Sequence, residues 1–304
     1  MPSNRQNWPP LVYADWQESC ATLHMWTQIV GKVRLALAPP VNHWWHVPLY
    51  VTARGLTTSP MPYRGLTLQI DFDFIDHVLR FDMSDGRREI IPLAPRSVAD
   101  FYAEIMGRLR ALGIDVHIWP VPVEVADPIR FDADRTHAAY DPDAVNRFWR
   151  ALAEIDQVFA AFRARFIGKV SPVHFFWGSF DHAVTRFSGR RAPPPPPPSN
   201  PMIPARVNRE AYSHEVSSCG FWPGNGGFGE AAFYCYAYPQ PEGFAEAPVQ
   251  PSAAYYSQNL GEFILPYEAV RQSAEPSATV LEFLQSTYAA AANLGKWDRA
   301  ALER

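Results

Sequence analysis

Apolar side chains recur at three- and four-residue steps along Phe148, Trp149, Leu152, Ile155, Val158, Phe159, Phe162 and Phe166. This is the stripe of an amphipathic helix, and Asp141-Pro142 supplies its opening. A less regular stripe, Trp16, Cys20, Leu23, Met25, Trp26 and Ile29, predicts a helix near the start of the chain. Two more segments, 97–113 and 279–295, each begin with a hydroxyl residue and carry an acid three positions later (Ser97 and Asp100, Thr279 and Glu282). The hydroxyl and the acid satisfy free amide hydrogens of a first turn, and Gly113 and Gly295 are placed to end these helices in a left-handed residue. Aromatic and β-branched runs at 66–74, 77–81 and 231–238 read as strands, with Asp85-Gly86 as a hairpin turn. Short apolar segments at 90–93 and 263–266 precede the two capped helices. The pattern predicts an α+β fold of antiparallel sheets packed with helices.

The spacing also predicts a tandem duplication. Gly31-Lys32-Val33 and Gly168-Lys169-Val170 each follow a helical pattern, as though the glycine closed the helix and the lysine entered a strand. Each is followed by a Pro-Val step into an aromatic run, Pro40-Val41-Asn42-His43-Trp44-Trp45 and Pro172-Val173-His174-Phe175-Phe176-Trp177. Each then reaches Val-Thr followed by Arg and Gly, at 51–55 and 184–189. Two helix–strands–helix units are expected, residues 1–125 and 126–304. The second is lengthened by a proline-rich loop at 192–204, containing the run 193–198, and by Gly/Pro-rich insertions within 220–260.

The run Ser171-Pro172-Val173-His174-Phe175-Phe176-Trp177-Gly178-Ser179-Phe180-Asp181, continuing to Arg190, resembles the signature of a bacterial domain-of-unknown-function family, number 5996. The likeness takes in 28–37, Asn42-His43-Trp44-Trp45, 51–57 and 215–224, which is most of the chain. The resemblance implies that these stretches form the centre of the molecule; it implies no activity, substrate or catalytic residue.

Composition narrows the function classes. The formal net charge is −4, so the basic excess that neutralises phosphates is missing and a nucleic-acid partner is not expected. No stretch nears the roughly 18 apolar residues that cross a bilayer, and the first ten residues are polar and contain proline, unlike a secretory signal. A cytoplasmic protein with no membrane partner is expected. Cys20, Cys219 and Cys235 show no metal-type spacing. Of 27 basic residues only Lys32, Lys169 and Lys296 are lysine. Each follows a glycine, so each is either a helix cap or an ammonium kept where a guanidinium does not serve.

Nine histidines provide proton-transfer candidates. The duplication would pair His43 with His174, and His77 with His214. His174 with Asp181, and His214 with Glu215, join an imidazole to a carboxylate, the minimum for general acid–base work and a set that could also ligate a divalent metal. No His-Glu-x-x-His or His-x-His spacing supports a metal, and no motif names a cofactor. Lys32 and Lys169 would add cationic groups, and Arg54 and Arg186 would clamp a carboxylate or phosphate. Trp45, Trp177 and Trp222 would wall an apolar pocket. Cys219 or Cys235 as a nucleophile has only the nearness of His214 in its favour. The sequence-based expectation is an enzyme acting on a small organic anion between the two units through His/carboxylate chemistry. The alternative is a non-catalytic small-molecule binding or structural protein, and the oligomeric state is left open.

Overall fold

The computed structural model describes residues 8–197 and 202–304. Its helices are α1 (Gln17–Leu37), α2 (Val98–Ala111), α3 (Pro142–Ala164), α4 (Ala205–Ala211), α5 (Tyr267–Gln272), α6 (Pro276–Leu294) and α7 (Arg299–Leu302). Its strands are β1 (Tyr50–Val51), β2 (Gly55–Thr57), β3 (Met61–Tyr63), β4 (Leu66–Asp73), β5 (Val78–Met83), β6 (Arg88–Pro92), β7 (His174–Phe176), β8 (Asp181–Arg191), β9 (His214–Trp222), β10 (Ala232–Tyr238), β11 (Tyr255–Ser257) and β12 (Glu262–Pro266).

Asp141 caps α3 by accepting from the amides of Asp143 and Ala144, and the apolar stripe of this helix is buried along its length. α1 is different. From Ser19 to Arg34 nearly every side chain is buried, polar ones included, so the helix is enclosed on all sides. A helix enclosed this way needs no polar face, which explains why its stripe in the sequence is indistinct.

The first sheet has the order β1-β2-β4-β5-β6, with β3 also paired to β4, and every pairing is antiparallel. Alternation sends Leu56, Phe72, Leu79 and Ile91 into the core. The other face carries an ion-pair network in which Arg80 meets Asp71 and Asp82, and Arg88 meets Asp82. The second sheet has the order β11-β12-β10-β9-β8-β7 and is also antiparallel. The sheets touch where Leu49 and Phe175 exchange two backbone hydrogen bonds of 2.9 Å. One continuous apolar core runs through residues of both halves.

In chain order a helix precedes and follows each sheet, with α4 set between β8 and β9 of the second, yet the short motifs that suggested a repeat do not occupy matching places. α1 continues beyond Gly31 to Leu37, so Lys32 lies inside a helix. α3 ends at Ala164, and Lys169 sits on the approach to β7, where Val170 bridges Arg186. Gly31 is a packing residue, because a Cβ there would come closer than 3.0 Å to three atoms of the Trp177 ring. The first aromatic run forms a 3-10 turn, Asn42–Trp44, with His43 and Trp44 at positive φ, whereas the second forms β7. Residues 51–55 span the β1–β2 connection, while 184–189 lie within β8.

The capping expectations divide. Ser97 caps α2 and Gly113 is left-handed (φ 75°). Thr279 instead lies within α6, its hydroxyl bonded to the Glu275 carbonyl, and Gly295 is right-handed while Lys296 takes the positive φ of 54°. Gly220 is a residue of β9 and not of a loop. Residues 193–197 have no regular element, and the rest of the proline run, Pro198, lies outside the described residues.

Candidate functional site

On the second sheet, alternation puts Phe175, His182, Val184, Arg186, Cys219, Phe221, Phe233 and Cys235 on the face toward α3 and α6. The opposite face carries His174, Asp181, Thr185, Phe187, Ser218, Trp222, Tyr234 and Tyr236. The 3-10 turn at 42–44 and α4 lie against each other, and that turn brings His43 and Trp45 of the first half to Lys169, Phe187 and His214 of the second.

His43 is the centre of this group. Its Nδ1–H donates to the Ala211 carbonyl at 3.2 Å, which leaves the Nε2 lone pair to accept from the Lys169 ammonium at 2.6 Å. The Lys169 nitrogen lies 5.3 Å from the Trp45 ring centroid and 5.1 Å from that of Phe187. The His43 and His214 rings are 5.9 Å apart. Burial lowers the pKa of His43, and the charges of Lys169 and His214 lower it further, so its imidazole is neutral at pH 7. Partial desolvation also lowers His214, reinforced by Lys169 and Arg191, and lowers Lys169, whose side chain is exposed overall. No carboxylate is paired with Lys169 among the described residues. Three basic groups therefore converge beside two aromatic rings.

Trp45 leads inward from this cluster. Its ring is 5.9 Å from His174, which is 1% exposed and holds an unpartnered, buried Nε2. Burial pushes His174 down to about 3. The His174 ring is 5.6 Å from Tyr50, and the Arg34 guanidinium carbon lies 5.5 Å from the Tyr50 ring. Arg34 is buried as well, with its Nε unpartnered.

Asp181 lies on the same sheet face but in a separate group. It accepts hydrogen bonds from the Ser179 and Tyr234 hydroxyls. Tyr234 reaches it from β10 by crossing β9 over Gly220, where a Cβ would come closer than 3.0 Å to the tyrosine ring. Trp222 packs on Tyr234 with centroids 4.7 Å apart. Burial raises Asp181, and burial together with the Asp181 charge pushes both Glu124 and Glu262 up to about 7.

The remaining sequence-selected residues lie elsewhere. His214 and Glu215 are consecutive on β9 and so point to opposite faces; Glu215 bonds Ser188 and Arg190 instead of an imidazole. Arg54 is in the β1–β2 connection of the first sheet and pairs with Asp73 and Asp76. His77 bonds the Tyr140 hydroxyl, away from His214. Arg186 is buried on the core face of the second sheet, its guanidinium carbon 3.5 Å from the Phe162 centroid and 4.3 Å from that of Tyr288. Lys32 and Trp177 adjoin each other on the α1 side. Cys219 and Cys235 are cross-strand neighbours in the core, and burial raises Cys235, a setting for an inert thiol. Among the described residues no three His, Cys, Asp or Glu side chains are grouped so as to hold a metal ion, and no helix is long and apolar enough to cross a membrane.

Sequence reasoning missed Arg34, Tyr50 and Phe187. Arg34 lies within the stretch 28–37 that shares the family likeness, and an arginine in a helix buried on every side was the available signal. Residues 8–304 match a family of unknown function, DUF5996. No curated protein matches the chain, and no solved structure does.

Proposed function

Because the chain belongs to the DUF5996 family, which assigns it no activity, we propose from its own chemistry that it binds a small organic anion at the seam between its two halves. Lys169, His43 and His214 form the anion end, and Trp45 and Phe187 form the wall for an apolar or aromatic part. The observation that carries this reading is the Lys169–His43 contact, an ammonium held against a neutral imidazole with no acid paired to it among the described residues. A carboxylate supplies the missing counter-charge. Binding the Lys169 ammonium, it draws that N–H away from His43 and frees the Nε2 lone pair, which the Ala211 carbonyl orients as a proton acceptor. The acid–base residue in this reading is His43, assisted by Lys169, instead of a His–carboxylate pair.

Calorimetric titration with benzoate tests it. Wild-type protein should bind, and Lys169→Ala should bind about tenfold to a hundredfold more weakly, the loss of one charge-assisted hydrogen bond. Lys169→Arg should also bind more weakly, since a planar guanidinium does not reproduce the ammonium's contact with His43. Lys169 is exposed, so both variants should melt like wild type. Equal affinity across the three proteins would remove the basis of the proposal.

A further inference from the structure

Lys32 is the one buried lysine, and it takes no part in the site at the seam. It is 5% exposed, yet it makes no hydrogen bond or ion pair among the described residues. Its nitrogen lies 5.2 Å from the Trp119 ring centroid and 5.8 Å from that of Trp177. One wall is fixed: the Trp177 indole donates to the Val47 carbonyl at 2.7 Å and is packed on Gly31. The other wall borders solvent, since Trp119 is 51% exposed.

An ammonium buried without an acid is costly, and two indole faces offset only part of that cost. We propose that Lys32 is a covalent attachment point for a small apolar or aromatic aldehyde, which it holds as an imine between Trp119 and Trp177. In this step the amine lone pair adds to the carbonyl carbon. Proton transfer from nitrogen to oxygen gives a carbinolamine, the C–O bond breaks with loss of one water, and a C=N bond forms. The protonated imine keeps the single positive charge of the ammonium, so the indole faces that stabilise one stabilise the other, and the added hydrocarbon meets an apolar surface.

Burial lowers Lys32 to about 8, and no charged group on any neighbouring element contributes to that shift. At pH 7.5 this corresponds to roughly two hundredfold more free amine than an ordinary lysine has. Shielding by the two rings takes part of that advantage back.

The chain has only two other lysines, so peptide mapping reads the result directly. Full-length protein is treated with benzaldehyde and cyanoborohydride at pH 7.5, and the reduced adduct is located by mass spectrometry. The expected result is labelling of Lys32 at least about tenfold faster than of exposed Lys296, approaching one adduct per chain, with the fast phase absent in Lys32→Met. Labelling of Lys296 as fast as Lys32, or no adduct at Lys32, would overturn the proposal. Benzoate binding at Lys169 is independent of either outcome.

Discussion

Gly31→Ala should destabilise the protein by about 1 to 2 kcal/mol, although the same change normally favours a helix. Helix propensity alone predicts a gain of about 1 kcal/mol for alanine over glycine. Against this, the new methyl would lie closer than 3.0 Å to three atoms of the Trp177 ring, and α1 is enclosed on every side at this level. The indole has no easy retreat, because its Nε1–H is held by the Val47 carbonyl. Overpacking of this kind typically costs about 1–3 kcal/mol and sometimes more, which outweighs the propensity gain. Urea unfolding of wild type and variant reads the difference. A variant as stable as wild type, or more so, would show that Trp177 does not fix the position of α1.

Lys32→Met should stabilise the protein by about 3 kcal/mol at pH 7. The lysine pKa falls from 10.5 to about 8 on folding, and each unit is about 1.4 kcal/mol of preference for the neutral form. The sign follows from proton counting. Between pH 8 and 10.5 the unfolded chain keeps the Lys32 proton while the folded chain has lost it, so wild-type stability rises with pH across that window. Below pH 8 both states are protonated and the full cost of burying the charge is present. Methionine fills the space without a charge and without that dependence. The advantage of the variant at pH 7 should therefore shrink as pH approaches 10. Paired unfolding curves at the two pH values test this, and a constant difference would mean that Lys32 is not desolvated.

Local signals were legible where the backbone alone decides. The α3 stripe opened by Asp141-Pro142, the Ser97 cap, the left-handed Gly113 and the strands β4 and β10 all correspond to patterns in the sequence. Expectations that depended on what a residue packs against did not hold. Gly31 resembled a helix stop because nothing in the tripeptide reveals Trp177, which is 146 positions away and supplies the contact. Thr279 resembled an N-cap because Glu282 follows three positions later, but Pro276, which can open a helix at its first position, stands three residues earlier and starts α6 there. His43, Lys169 and His214 were all selected from the sequence, yet their convergence rests on tertiary contacts between segments more than 120 residues apart. The carboxylates assigned to His174 and His214 went elsewhere for local reasons. Strand alternation separates Glu215 from its neighbour His214, and the absence of a side chain at Gly220 opens a path from Tyr234 to Asp181.

The anion site at the seam is tested most directly by the ring resonances of His43, followed by NMR against pH with and without benzoate. In the free protein His43 should titrate below the ordinary histidine value, held down by burial and by Lys169. A carboxylate bound at Lys169 offsets that charge, so benzoate should move the titration upward in wild type and leave it unchanged in Lys169→Ala. A His43 titration that benzoate does not move in wild-type protein would contradict the assignment of this cluster as an anion site.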